Sequence, residues 1–414
     1  MTAAERHDHA IDWAAVRGHF PILETEVYGK PLAYLDNAAS SQMPEQVVGR
    51  IVDYQHHEHS NIHRGVHYLS QTATDAFEAA REKVAKFLDA PSVHECIFTR
   101  GTTEGINLVA HGYGRKFVGE GDEILISHLE HHSNIVPWQM LCEERGAKLR
   151  VIPMHDDGTL DFDAYRELLG PRTKLVGLIH VSNALGTIND VRRFADAARA
   201  NGTPILVDGA QAVAHMNTSV QDLGVDFYAF SSHKMCGPTG VGVLWGKTEL
   251  LEQMNPFLGG GDMILDVSFE KTTYNKIPHK FEAGTPPIMA VIALGAAIDY
   301  MTDLGRDAIG AREHALLRYA EGKIAELDGV RILGPATGRA AVLSMVIDGA
   351  HPHDVGTILD QNGVAIRAGH HCAQPIMKRF QIPATARASI AFYNNEADID
   401  ALVVGLHQVR EIFG

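Results

Sequence analysis

Residues 174–215 read KLVGLIHVSNALGTINDVRRFADAARANGTPILVDGAQAVAH, and their pattern decides the fold. An apolar run, KLVGLIHVS, gives way to the helix-like DVRRFADAARANG, and a second apolar run, PILVDG, leads into AQAVAH. A strand, a helix and a strand of this kind form a βαβ unit, with the two strands parallel and the helix covering them. The same rhythm continues on both sides, from about residue 95 to 245. Upstream, CIFTR precedes TTEGINLVAHGYG, EILIS precedes NIVPWQMLCEERG, and KLRVIP follows; downstream comes DFYAFSS. The chain is therefore expected to be α/β, with a mostly parallel sheet between helices.

Composition narrows the function classes. With 414 residues and 45% apolar content the chain can bury a sizeable core, and length suggests two or three domains. Lys plus Arg total 36 against 51 Asp plus Glu, a formal charge of −15 that repels phosphate backbones and anionic head groups. Neither nucleic acid nor a membrane is expected as a partner. The opening MTAAERHDHAIDW carries charges where an export segment would be apolar, and IMAVIALGAAI (288–298) is too short to span a bilayer. Four scattered cysteines without CxxC pairs fit a reducing cytoplasm. His59, His63 and His67 recur every fourth residue, but Asn61 and Gly65 interrupt the helix that would align them, so no metal site of the chain's own is expected.

In open α/β sheets ligands bind beyond the carboxyl ends of the strands, and those ends carry unusual residues here. FSSHKMCGPTG (230–240) puts Lys234 where a strand runs into a glycine-proline turn. PILVDGAQ puts Asp208 after a fully apolar strand, where a carboxylate is costly unless a cation or a protonated group meets it. CIFTRGTTEG is a strand, a glycine turn and two threonines, Thr102 and Thr103, opening a helix, which suits a phosphate dianion. Asn183 and His131 lie at two further strand ends. Singly, Asp208 reads as a helix cap, the threonines as ordinary N-terminal residues and His131 as a polar loop residue. Together they are what pyridoxal 5'-phosphate needs: a lysine for a Schiff base, a buried acid for the pyridine nitrogen and a phosphate cradle.

Nine stretches then carry a resemblance along nearly the whole chain: YLDNAAS (34–40), NIHRGVHYLS (61–70), RGTTEGINLVA (100–110), EHHSNIVPWQ (130–139), HVSNALGT (180–187), VDGAQAV (207–213), SSHKMCGPTG (231–240), FEAGTP (281–286) and RAGHHCAQP (367–375). The sequence resembles the cysteine desulfurases of the aminotransferase class V superfamily, and within them the SufS type (group II). The resemblance implies the pyridoxal-phosphate fold-type I architecture. A large domain over 26–290, with a mostly parallel seven-stranded-type sheet, would be joined by a smaller α+β domain made of 1–25 and 291–414 that carries a cysteine loop.

By the same resemblance Lys234 is the Schiff-base lysine, Asp208 pairs with the pyridine nitrogen, and His131 stacks on the ring and moves protons. Gln211 would contact the phenolic oxygen, and Thr103, Ser231 and His233 the phosphate. The family is dimeric, and Thr285 would reach the phosphate of the neighbouring subunit. Asn183 and Arg387 would hold the substrate carboxylate, with Asn37, His63 and Arg367 close by.

By the same resemblance the nucleophile is Cys372, which follows GVAIRAG and is flanked by His370, His371 and Arg367, neighbours that favour a thiolate. Cys236, two residues from Lys234, is the rival, while Cys96 and Cys142 read as inert core thiols. The implied reaction converts L-cysteine to L-alanine and leaves a persulfide on Cys372, destined for iron–sulfur cluster assembly. The Cys372 loop lacks the long extension of the NifS/IscS type, which implies a recessed persulfide and an acceptor protein that reaches in. That acceptor would be SufE-like or zinc-containing and SufU-like, with His353 near the zinc in the second case. A selenocysteine lyase acting on L-selenocysteine and a non-catalytic sulfur-assembly scaffold share this fold and stay open at this point.

Overall fold

The computed structural model describes residues 11–334 and 336–414. Residues 1–10, part of the expected N-terminal segment of the smaller domain, lie outside them. Seven strands form the main sheet: β1 (Cys96–Thr99), β2 (Glu123–Ser127), β3 (Lys148–Ile152), β4 (Thr173–Ile179), β5 (Ile205–Asp208), β6 (Phe227–Ser231) and β7 (Gly242–Gly246). Their order is β1-β7-β6-β5-β4-β2-β3, and only β7 runs against the rest. Strand residues alternate between the two faces. Ile205 and Val207 of β5 join one apolar core and Leu206 the other, so helices must cover both sides. This is why β5 reads as a continuous apolar run and not as an alternating one.

Four antiparallel strands make the second sheet: β8 (Val330–Ile332), β9 (Val342–Ile347), β10 (Arg367–Gly369) and β11 (Thr385–Ser389), in the order β8-β9-β11-β10. Its core joins Leu343 and Met345 to Leu316, Leu402 and Leu406 of the helices Arg306–Ala325 and Glu396–Phe413. A capping box opens the latter helix, with Asn395 and Asp398 each bonding the other's backbone N–H.

The expected boundary at residue 290 falls inside a helix. Helix Ile288–Leu304 contains that position in its first turn, and its Val291, Leu294 and Ile298 belong to the core shared with Phe77 and Val84 of helix Tyr68–Phe87. Conversely, Ala33 and Leu35 are buried in the core of the four-stranded part, where Ala33–Tyr34 pairs in parallel with Val364–Ala365. Among the described residues no single helix is long and apolar enough to cross a membrane.

Candidate active site

A cavity of about 180 Å³ opens where the carboxyl ends of β1, β2, β4, β5 and β6 meet the smaller domain. Thr102, Thr103, His131, Asn183, Asp208, Gln211, Ser231, His233 and Lys234 line it from the large domain, and Arg367, Cys372 and Arg387 from the small one. Twelve residues spread over 286 positions of sequence thus face one volume because every large-domain member ends or follows a strand of one sheet.

Asp208 is 3% exposed, and its Oδ1 accepts one hydrogen bond, from Ala210 N–H at 2.9 Å. Burial raises its pKa, so a cation or a protonated ring nitrogen is the group that would let it ionise. The tight exit after Asp208 needs Gly209, because a Cβ there would sit 2.1 Å from the ring of Tyr228. Lys234 is half-buried and lines the cavity; desolvation outweighs the attraction of Asp208 and lowers it to about 8. An amine so placed is partly neutral near physiological pH, the form in which it is a nucleophile or a base.

Helix Thr102–Val109 starts at the cavity with Gly101 before it. Thr102 N–H and Oγ1 both meet Ser231 Oγ at 2.8 Å, while Thr103 is exposed to the cavity. The arrangement offers hydroxyls and a helix N-terminus to an anion. His233 lines the same wall and is lowered to about 4, by burial first and then by Lys234. Gln211 Nε2 donates to Ala38 C=O at 2.7 Å.

His131 is oriented by Ser133, whose N–H donates to Nδ1 at 3.1 Å and whose hydroxyl lies 2.8 Å from it. Nδ1 is therefore the acceptor and Nε2 carries the proton. Burial, then Lys234, lowers His131 to about 3, so the ring is neutral. Behind it Glu130 is 0% exposed. Its Oε1 accepts from Ile179 N–H at 2.8 Å and meets Ser127 Oγ, and its Oε2 accepts from Asn134 Nδ2 at 2.6 Å. With no cation beside it, burial raises Glu130 to about 8.

On the small-domain side Arg387 is buried, its guanidinium donating to Asn183 C=O at 2.8 Å and to Asp36 at 3.0 Å. Arg387 Nε and Asn183 Oδ1 have no partner among the described residues. Arg367 donates to the other Asp36 oxygen at 3.2 Å. Asp36 thus holds both arginines that line the cavity, a role the stretch YLDNAAS did not disclose, although an acid directly after an apolar strand was the available signal.

Cys372 is exposed, whereas Cys96, Cys142 and Cys236 are buried. Burial pushes Cys142 up to about 11, Cys96 up to about 12 and Cys236 higher still. Cys236 does not line the cavity. Cys372 sits in a tight turn closed by Ala373 N–H to His370 C=O at 2.9 Å, with φ of 53° at His371 and 54° at Cys372. Left-handed backbone costs roughly 1–2 kcal/mol per non-glycine residue, so this turn must be held by its surroundings. Asn183 Nδ2 donates to His371 C=O at 2.6 Å, and His371 Nε2 meets Thr385 Oγ1 at 2.7 Å.

Three expected residues lie elsewhere in this chain. Asn37 spends its amide on Ser389 C=O, Tyr34 C=O and Asn394, and its Oδ1 accepts from Tyr393. His63 pairs with Glu78 at 3.1 Å, away from the cavity. Thr285 is exposed and does not line it either. His353 is exposed on helix Pro352–Asp360. No group of three or more His, Cys, Asp or Glu among the described residues could hold a metal ion.

Residues 33–402 match the aminotransferase class-V family. A probable cysteine desulfurase of Halalkalibacterium halodurans is 51% identical over 95% of this chain and 97% of its own length. A cysteine desulfurase of Serratia proteamaculans is 50% identical over 96% and 98%. Among solved structures, the cysteine desulfurase CsdA of Escherichia coli superposes with a TM-score of 0.91 at 40% identity, covering 98% of this chain and all of that one. The apo cysteine desulfurase of Thermococcus onnurineus does so with 0.93 at 39%, with the same coverage.

Proposed function

Because the chain belongs to the aminotransferase class-V family and within it is a cysteine desulfurase, we propose that its cavity converts L-cysteine to L-alanine with Cys372 as sulfur acceptor. The observation that carries this reading is that Cys372, the one exposed cysteine, lines the same cavity as Lys234 and Asp208. The cavity residues fit pyridoxal 5'-phosphate. Asp208 has one oxygen unspent by its single hydrogen bond, and the Thr102–Ser231 corner is an anion cradle at a helix start. Lys234 would hold the cofactor covalently, Asp208 its ring nitrogen, Gln211 its phenolic oxygen, and Thr103, Ser231 and His233 its phosphate, with His131 against the ring. When bound, the cofactor supplies an electron sink for the pair left by the Cα proton.

The chain's own residues do the rest. Arg387, with Asn183 and Arg367, would bind the substrate carboxylate. Lys234 Nζ, lowered to about 8, is a base for the Cα proton. His131, neutral with its proton on Nε2, can hand a proton on at that atom and take it back. Cys372 Sγ then attacks the substrate sulfur: the Cys372 S–S bond forms, the substrate Cβ–S bond breaks, and its electron pair takes up a proton at Cβ. The products are L-alanine and a persulfide on Cys372, at the mouth of the cavity, where an acceptor protein of SufE-like or SufU-like type would collect the sulfur for iron–sulfur assembly. His353 is exposed as a zinc contact of the second type would require. All four cysteines are free, as in a reducing cytoplasm.

The protein acts as a homodimer in this account. Its support is a hairpin over 264–274 whose Leu265, Val267 and Phe269 are exposed, and whose approach at Gly261 accepts from Gly284 N–H beside Thr285. Thr285 would serve the neighbouring subunit's phosphate. The test is a pair of variants. Lys234→Ala should lose all turnover, and Cys372→Ser should keep the bound cofactor's colour and lose persulfide formation; a desulfurase-active Cys372→Ser would end the reading. Turnover of L-cysteine against L-selenocysteine separates this activity from that of a selenocysteine lyase.

A further inference from the structure

The loop after β2, SHLEHHS (127–133), contains three histidines, of which the proposed reaction uses only His131. The rings of the other two meet the segment just after Cys372. His132 brackets Cys372: its backbone N–H donates to Cys372 C=O at 2.8 Å, and its Nε2 accepts from Gln374 N–H at 3.2 Å. His128 Nε2 lies 3.2 Å from Pro375 C=O and can only donate to it. Between them Leu129, 0% exposed, packs in one apolar cluster with Ala373, Ile376 and Met377. Four contacts thus tie four consecutive positions, 372–375, and the helix they open to one loop of the other domain.

We propose that His128 and His132 are positioning residues for Cys372, clamping the left-handed turn so that its thiol faces the cavity. The proposal rests on Cys372 being the nucleophile. The turn explains why a clamp is needed. His371 and Cys372 both hold positive φ, a conformation that asparagine and glycine favour and that other residues keep only under external constraint. Asn183 holds the first of the two carbonyls and His132 the second. The clamp also needs one tautomer on each ring. Nε2 of His132 must present a lone pair, and burial together with the nearby His370 lowers its pKa in the sense that keeps it unprotonated. Nε2 of His128 must carry a proton. A loop that lines the cavity with its middle histidine and holds the segment 372–375 with the outer two fixes the spacing between them. Neither role is legible from spacing, since the contacts join positions more than 240 residues apart.

The experiment uses holoenzyme of the parent, His132→Ala, His132→Gln and His128→Ala, the glutamine offering a carbonyl oxygen in place of Nε2. Two rates are measured: persulfide formation on Cys372 with saturating L-cysteine, and alkylation of Cys372 by iodoacetamide without substrate. In His132→Ala persulfide formation should fall about ten-fold, the worth of one lost hydrogen bond, with KM for L-cysteine within about two-fold of the parent because carboxylate binding is untouched. Alkylation should rise as the turn loosens, and His132→Gln should bring both rates back to within about three-fold of the parent. His128→Ala should move both rates in the same directions, and it carries the test if His132→Ala does not fold. Unchanged or slower alkylation in both alanine variants overturns the proposal. So does a loss of cofactor absorbance in parallel with activity, which would place these histidines in cofactor binding. If the parent itself forms no persulfide on Cys372, it is the reading of Cys372 as nucleophile that fails, and alkylation still reports on the clamp.

Discussion

Glutamine in place of Glu130 should change how stability depends on pH. Burial without a cation raises the Glu130 carboxyl from 4.5 to about 8. Below about 4.5 the group is protonated in both the folded and the unfolded chain. Between about 4.5 and about 8 the unfolded chain releases the proton and the folded chain keeps it, so the folded state binds more protons and loses stability as pH rises. At about 1.4 kcal/mol per unit the full span corresponds to something on the order of 5 kcal/mol, lost by about pH 8. A glutamine does not titrate, but it must turn an NH₂ toward a donor, because both Asn134 Nδ2 and Ile179 N–H donate to the present carboxyl. That mismatch costs about 1–3 kcal/mol at every pH. Glu130→Gln is therefore expected to be less stable than the parent at pH 5, with the gap closing or reversing by pH 8.5. Urea unfolding of both proteins at the two pH values reads it. A gap of equal size at both would show that Glu130 has the same proton affinity folded and unfolded, and a gap that widens would show a carboxylate stabilised by the fold.

Asp36→Asn should raise KM for L-cysteine by about ten-fold, more than it lowers kcat, because Arg367 and Arg387 lose their shared anchor; steady-state kinetics with unchanged KM would count against the carboxylate site. Gly209→Ala places a methyl 2.1 Å from the Tyr228 ring and should cost about 1–3 kcal/mol of stability while weakening cofactor binding, since it displaces Asp208. Denaturant unfolding and absorbance titration with pyridoxal 5'-phosphate measure the two effects. Arg81→Ala strands Glu282, which is bonded to Arg81 at 2.7 Å and to Phe98 N–H, and should cost about 3–5 kcal/mol and loosen the FEAGTP segment that carries Thr285. Hydrogen exchange of residues 278–288 would follow that loosening.

The parallel sheet was legible because β4, β5 and β6 are buried on both faces and so read as unbroken apolar runs, each stopping at a polar residue. Asp208, Lys234, His131, Asn183 and Thr103 could be picked out for the same reason, since topology alone carries such strand ends to one cavity. What was hidden depends on packing between distant segments. Asp36 reaches Arg387 across 351 positions, and His132 reaches Gln374 across 242. No periodicity encodes either contact. The part of the chain to which helix Ile288–Leu304 belongs was equally hidden: it is apolar on nearly every face and gives no sign of which core it joins. Cys372 entered through resemblance to a family, and its left-handed turn had no signal in a sequence lacking glycine or asparagine at those two positions.

Mass spectrometry of the reductant-free holoenzyme mixed with L-cysteine addresses the central claim, that Cys372 receives the substrate's sulfur in the cavity of Lys234 and Asp208. The account predicts that the peptide containing Cys372 gains one sulfur atom, with L-alanine formed in equal amount. Alanine accompanied by sulfur on Cys236, or by no sulfur on any cysteine, would contradict it.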